Sequence, residues 1–333
     1  MNFTLDTFRK YFLDITVFVS VFVTVLIGLS FINQLRENSR IIFGKLPPTQ
    51  AVGEGFRQDF SLEISGKKLE GSSKVALVKE SKGSVEKAKF LAKVFKIDGK
   101  LQTSKDTGGD LFGKIQDKNG IVNYNISTGA FSYLKISKPK SQRLINTLDE
   151  ATQTAQNFLK KLNLEKDLLH EETLALKEYG LELDFIDDPK TADQFLTNLT
   201  CNFSDRKIYN SGLNPLVSAS LSRSGEVVKF SYMQVAIDTE NIGTYPLINL
   251  GGIENRLRAG QGRVILPGGY NGGSLSAASN VVFNDIELVY LIDDETGLLL
   301  PFWKLSGSAT INKQEVEVVV VVNAVSSKYL KEN

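Results

Sequence analysis

His170 and Cys201 are the only histidine and the only cysteine in the chain. An intrachain disulfide and the usual Cys/His zinc sites are therefore excluded. His170 is followed by Glu171 and Glu172, residue types that can move protons, but no serine or cysteine nucleophile context accompanies them. The trio reads as surface groups at a helix exit. Cys201, within LTCNF, reads as a small buried apolar group in a strand. Asp187-Asp188 and Asp293-Asp294-Glu295 lack the alternating oxygen ligands and distant Glu of a calcium loop, and read as solvated turns. The glycine-dense run 266–274 holds Gly268, Gly269, Tyr270, Asn271, Gly272 and Gly273. It lacks both the Gly-Lys-Ser/Thr ending of a phosphate loop and the βαβ setting of a dinucleotide loop, so it reads as a mobile surface loop, with a contact loop as its functional reading. Arg256, Arg258 and Arg263 cluster around a helical pattern and read as a solvated face, with anionic lipid head groups as the alternative. No catalytic, cofactor or metal site is expected.

The apolar stretch Ile15–Ile32 dominates the chain's organisation, with 18 residues and no charge. As a helix it would extend ~27 Å, close to the hydrocarbon thickness of a bilayer. It predicts a single transmembrane helix, in preference to a cleavable signal peptide or a core helix. Thr16, Ser20, Thr24 and Gly28 recur every fourth residue and form a candidate contact stripe on that span. Flanking charges do not orient it, since Arg9 and Lys10 precede it and Arg36, Arg40 and Lys45 follow it. A formal net charge of +1 shows no bias towards nucleic acid. The lipid bilayer, through residues 15–32, and a membrane or envelope protein are the expected partners.

Seven segments follow from this reading: a short tail (1–14), the span (15–32), a linker with Pro47-Pro48 (33–57), three α+β repeats (58–140, 141–240 and 241–327) and a tail (328–333). Helices are expected over 84–96, capped by Ser84, over 147–164, with Thr147 and Glu150 as a capping box, and over 247–259. KFLAKVFKI (89–97) superposes on NFLKKLNLE (157–165), matching Phe90 with Phe158 and Leu91 with Leu159. Strands are expected at 58–64, 120–126, 130–136, 181–186, 201–209, 217–221, 226–237, 286–292, 298–306 and 316–325. The five consecutive valines at 318–322 suit a central strand buried on both faces. The expected class is α+β: a transmembrane helix, then two to three repeats of a helix packed on an antiparallel sheet.

The ending 286–325 carries Leu288-Val289-Tyr290, an acidic turn, Leu300-Pro301-Phe302-Trp303 and a valine-rich strand closing in Asn323-Ala324-Val325. With the strands in 214–238 and the helix ahead of Gly260-Gln261-Gly262, it resembles the PepSY-like domains of bacterial YycH/YycI-type proteins. The resemblance covers roughly 145–325 and implies a single-pass protein with an extracytoplasmic, non-enzymatic domain that restrains a membrane histidine kinase. No functional residue carries over. The expected function is a membrane-anchored, non-catalytic binding or regulatory module. A structural envelope component, or an envelope hydrolase or protease pro-domain-like inhibitor, is the alternative.

Overall fold

The computed structural model describes residues 41–48, 54–64, 66–79, 82–138, 144–164, 168–179, 182–265, 278–311 and 313–331. The first part of the chain forms β1 (Glu54–Gly55), β2 (Phe60–Leu62), β3 (Ser72–Lys79), α1 (Val85–Val94), β4 (Gln102–Lys105), β5 (Leu111–Gln116), β6 (Gly120–Asn125) and β7 (Phe131–Lys135). Next come α2 (Leu148–Leu162), β8 (Leu168–Tyr179), β9 (Glu182–Ile186), β10 (Gln194–Phe203), β11 (Arg206–Tyr209), β12 (Val217–Ser222), β13 (Val227–Tyr232) and β14 (Ala236–Pro246). The remainder is α3 (Leu250–Arg258), β15 (Arg263–Ile265), β16 (Ser279–Ile292), β17 (Leu298–Ile311) and β18 (Gln314–Asn323).

The helices start where their caps are. Ser84 Oγ accepts from Lys87 N at 3.1 Å, Thr147 Oγ1 from Glu150 N at 3.2 Å and Asn249 Oδ1 from Gly252 N at 2.9 Å, each satisfying a free first-turn donor. Helix α2 ends at Asn163, which takes the left-handed conformation with φ 55°. Helices α1 and α2 bury Leu91 and Leu159 in one core, which also holds Phe95, Phe131, Phe158 and Phe230. Ring centroids there are 5.4 Å apart for Phe131 and Phe230 and for Phe95 and Phe158.

This core lies on one face of an antiparallel arm ordered β9-β8-β10-β12-β13-β7-β6-β5-β4. A second arm runs β1-β15-β18-β17-β16, with β3 and β14 continuing from the start of β17, and with β2 and β11 parallel to the two halves of β16. Helix α3 packs Ile253 and Leu257 on one face of that arm, beside Trp303, Val318, Val320 and Val322. Val321, Tyr209, Tyr245 and Phe302 build a further core on the opposite face. The valine run is thus buried on both sides, and β18 lies between β17 and β15. Leu46 and Phe56, within 33–57, are also buried, and Leu46 exchanges backbone hydrogen bonds with Tyr329 and Lys331.

Two expectations are corrected. Among the described residues strand accounts for 51%, and 18 strands join in one network of pairings, so the plan of successive helix-on-sheet repeats does not hold. Strands from the expected first repeat pair with strands from the others: β3 with β14 and β17, β7 with β13, and β2 with β16. The physical reason is that each short meander satisfies its edge hydrogen bonds against a distant strand rather than closing on itself. Phe90 and Phe158, matched in the apparent repeat, share no environment, since Phe90 is exposed while Phe158 sits in the aromatic core. The expected transmembrane-led fold is likewise corrected to a sheet-rich one over the described residues, and no helix among them is long and apolar enough to cross a membrane. Residues 15–32, with Thr16, Ser20, Thr24 and Gly28, and the run Gly268, Gly269, Tyr270, Asn271, Gly272 and Gly273 lie outside the described residues.

Candidate functional site

The face of the antiparallel arm that carries no helix opens into a cleft of about 1030 Å³, whose far wall includes Lys304 of β17 and Glu317 and Val319 of β18. Strand pairing sets its floor in rows. Leu174, Leu196, Ser220 and Lys229 stand opposite one another across β8, β10, β12 and β13, and Leu134 of β7 continues the row. The adjacent row is Glu172, Asn198, Ser218 and Ser231, with a 2.6 Å hydrogen bond between the two serine hydroxyls. Small polar residues therefore occupy the centre of the floor. Its margins are apolar: Leu134 and Ile136 on one side, Leu183 and Phe185 on the other, each about half exposed.

One corner is charged because β8 carries a bulge. Asn198 pairs with Glu172 and Leu199 with His170, leaving Glu171 as the extra residue. A bulge re-aims side chains, and here Glu171 and Glu172 both line the cleft. His170 falls on the other side, with Nε2 2.9 Å from the buried Thr173 Oγ1. That hydroxyl also meets Thr152 of α2 and Thr197 of β10. The three adjacent residues are thereby separated: His170 joins a threonine cluster under the helix, and the two glutamates face the cleft.

Glu171 Oε1 accepts a 2.7 Å hydrogen bond from the Tyr209 hydroxyl, and Lys207 Nζ lies 2.9 Å from Oε2. Lys304 Nζ lies 3.8 Å from Glu171 Oε1, 2.8 Å from Glu287 Oε1 and 5.7 Å from the centroid of the Tyr209 ring. Two carboxylates and two ammonium groups thus neutralise one another around a buried phenol. Burial, and then the negative Glu171 beside it, push the Tyr209 phenol far above its ordinary range, so it remains a protonated donor. Asn198 Nδ2 donates to Glu172 Oε1 at 3.0 Å. Among the described residues no group of three or more metal-ligating side chains converges. The corner can orient and neutralise polar groups of a ligand, and its carboxylates and amines are committed to one another.

The phenols also set an alkaline limit on the fold. Burial is the largest cause that pushes Tyr133 and Tyr232 up to about 12, and it raises Tyr290 as well. Below the unfolded value of ~10 both states are protonated and stability is intact. Above it the unfolded chain ionises while the folded chain keeps its protons. Stability is therefore expected to fall steadily between pH ~10 and ~12, measurable as a dropping denaturant midpoint, with the phenolate absorbance of Tyr133 and Tyr232 appearing on unfolding rather than before it. Full ionisation of the native tyrosines near pH 10 would contradict this.

The other residues singled out by type find structural roles. Arg256 is buried rather than solvated, and corrects the reading of a basic helix face: it donates to the carbonyls of Asn323 and Val325 and, at 3.0 Å, to Ser327 Oγ, clasping the end of β18. Arg258 is exposed and pairs with Glu254. Asp293 is also buried, and its carboxylate accepts from Thr296 N at 3.0 Å to close the β16–β17 turn. Asp188 accepts from Lys190 N at 3.0 Å in the turn after β9. Cys201 packs against the aromatic core. The cleft itself was not legible as a motif, because its residues come from strands spread across 134–319 and share only the alternation of small polar and aliphatic groups.

No family model matches the chain, and no curated protein matches it. Among solved structures, the Bacillus megaterium YpeB C-terminal domain is a neighbour at 13% identity. The match covers 74% of this chain and 100% of that one, with a TM-score of 0.35. A superposition that loose carries no inference about fold or activity, and the resemblance to YycH/YycI-type proteins stands on sequence pattern alone.

Proposed function

We propose that this chain is a non-catalytic binding module that regulates a membrane or envelope protein, and that the cleft is its contact surface. One observation carries the reading: the charged groups of the cleft corner are spent on one another, while half-exposed aliphatic and aromatic side chains converge on its two margins. Such a surface gains more from covering apolar area than from chemistry. The likeness of 145–325 to YycH/YycI-type domains supports a sensor kinase as the target and an extracytoplasmic setting.

The test is site-specific crosslinking in living cells. A photoreactive residue at Ser220, on the cleft floor, is expected to trap one membrane or envelope protein. The same residue at Lys89, on the outer face of α1, traps none. Ser218→Trp, which fills the floor without touching the helix-side core, is expected to abolish the Ser220 adduct. Equal trapping from both positions, or none from Ser220, would sink the proposal.

A further inference from the structure

Among the described residues, the margin of the cleft formed by β9 is a free strand edge whose backbone is aimed outward. β9 pairs only with β8 among the described residues, in the register Tyr179↔Glu182 to Ala175↔Ile186. The side to which β8 directs its own groups is fixed by two bonds: Glu178 N donates to Asp193 Oδ2 at 3.1 Å, and Leu176 O accepts from Asp193 N at 2.9 Å. Both bonds reach away from β9. In an antiparallel pair, residues opposite each other either exchange both bonds or turn both away. Leu183, opposite Glu178, and Phe185, opposite Leu176, therefore turn their N–H and C=O to the open edge. That is two donors and two acceptors at the spacing of a strand ladder.

The side chains on this edge are equally one-sided. Leu183 and Phe185 are each 44% exposed and line the cleft. Asp184 points to the opposite face and is exposed. Its cross-strand neighbour Lys177 donates instead to Thr191 O at 2.9 Å, beside Asp193. Exposed Asp187 and Asp188 follow along the same edge. The far end of this arm contrasts with it: β4 is Gln-Thr-Ser-Lys, wholly exposed, with no apolar side chain and a terminal lysine, the usual protection of an edge.

We infer that β9 takes up an extended segment of a partner polypeptide as an added strand, with apolar residues packing over Leu183 and Phe185 and an intervening Lys or Arg facing Asp184 on the opposite face. This deepens the cleft reading and rests on it. Charge selects a partner over a second copy, because the stretch 182–188 holds four acidic residues and no Lys or Arg, so a second copy would bring no cation to Asp184. Backbone pairing supplies the affinity and the two side-chain rows the specificity.

The probe is a small library of fluorescent, end-blocked heptapeptides that alternate Lys with Val, Leu, Ile or Phe, titrated onto the full chain by anisotropy. Binding by at least one member is expected. Leu183→Pro removes an outward N–H while sparing the β8 bonds, and is expected to weaken binding at least about tenfold. The same loss is expected with the wild-type chain when the peptide's pairing amides are N-methylated, which keeps its charge and apolar area. That comparison decides the matter even if Leu183→Pro fails to fold by circular dichroism. Strand addition is overturned if no member binds, or if N-methylated and parent peptides bind alike. Ser220 adducts that persist alongside such a result would leave the cleft reading standing. Peptide binding without Ser220 adducts would remove the regulatory reading alone.

Discussion

Gly307→Val is expected to lower stability by about 3 kcal/mol or more, or to prevent folding outright. Gly307 lies inside β17, where the partner strand β16 is irregular on both sides, between Ser279 and Val282 and between Phe283 and Asp285. A Cβ at this position would overlap the carbonyl oxygen of Val282 and lie 2.8 Å from Phe283 Cα. Both are backbone atoms of a paired strand, so no side-chain rotation relieves the overlap. The β16–β17 ladder would have to part where Phe283 and Leu305 are buried against Phe56, Val318 and Val320. Chemical denaturation of Gly307→Ala and Gly307→Val checks this, with alanine the milder of the two. A midpoint unchanged by valine would mean that the close approach is not required.

Glu171→Ala is expected to cost about 3 kcal/mol, the lower end of the range for removing one partner of a buried ion pair. The side chains of Glu171 and Lys304 are each 15% exposed, so the ammonium groups left behind are only partly rescued by water. Tyr209 would also lose its acceptor, leaving a buried hydroxyl unpaired. Glu171→Gln keeps an acceptor for that hydroxyl and should recover part of the loss. In a Lys304→Met background the cost of Glu171→Ala should shrink, because the remaining charge is reduced. A cost under about 1 kcal/mol in the wild-type background would class the cluster with exposed surface pairs.

The two positions show different limits of sequence reading. The strand expected over 298–306 stops one residue before Gly307. The structure carries β17 through Gly307 to Ile311. The glycine marks close backbone approach rather than a turn, and only the partner strand reveals that. Glu171 lies in LLHEETLALKEY, rich in Leu, Glu, Ala and Lys, which favour helices, yet the segment is the strand β8, paired on both edges by β9 and β10. Tertiary pairing overrode local propensity.

Local physics was readable wherever it was self-contained. Capping side chains start α1 and α2 at the expected residues, the Ser127-Thr128-Gly129 turn joins β6 to β7, and the valine run is a strand buried on both faces, because each depends on neighbours a few residues away. Which strands pair was not readable. The partners of β3, β7 and β2 lie in distant parts of the chain, and nothing in an alternating strand names its partner. The same holds for the bulge that turns Glu171 into the cleft, for the burial of Arg256 under the end of β18, and for the open edge of β9. Composition and spacing excluded disulfide and zinc chemistry, and residue type marked the groups able to carry charge. Long-range register decided which of those groups meet, and it fashioned a cleft from residues that no short motif contains.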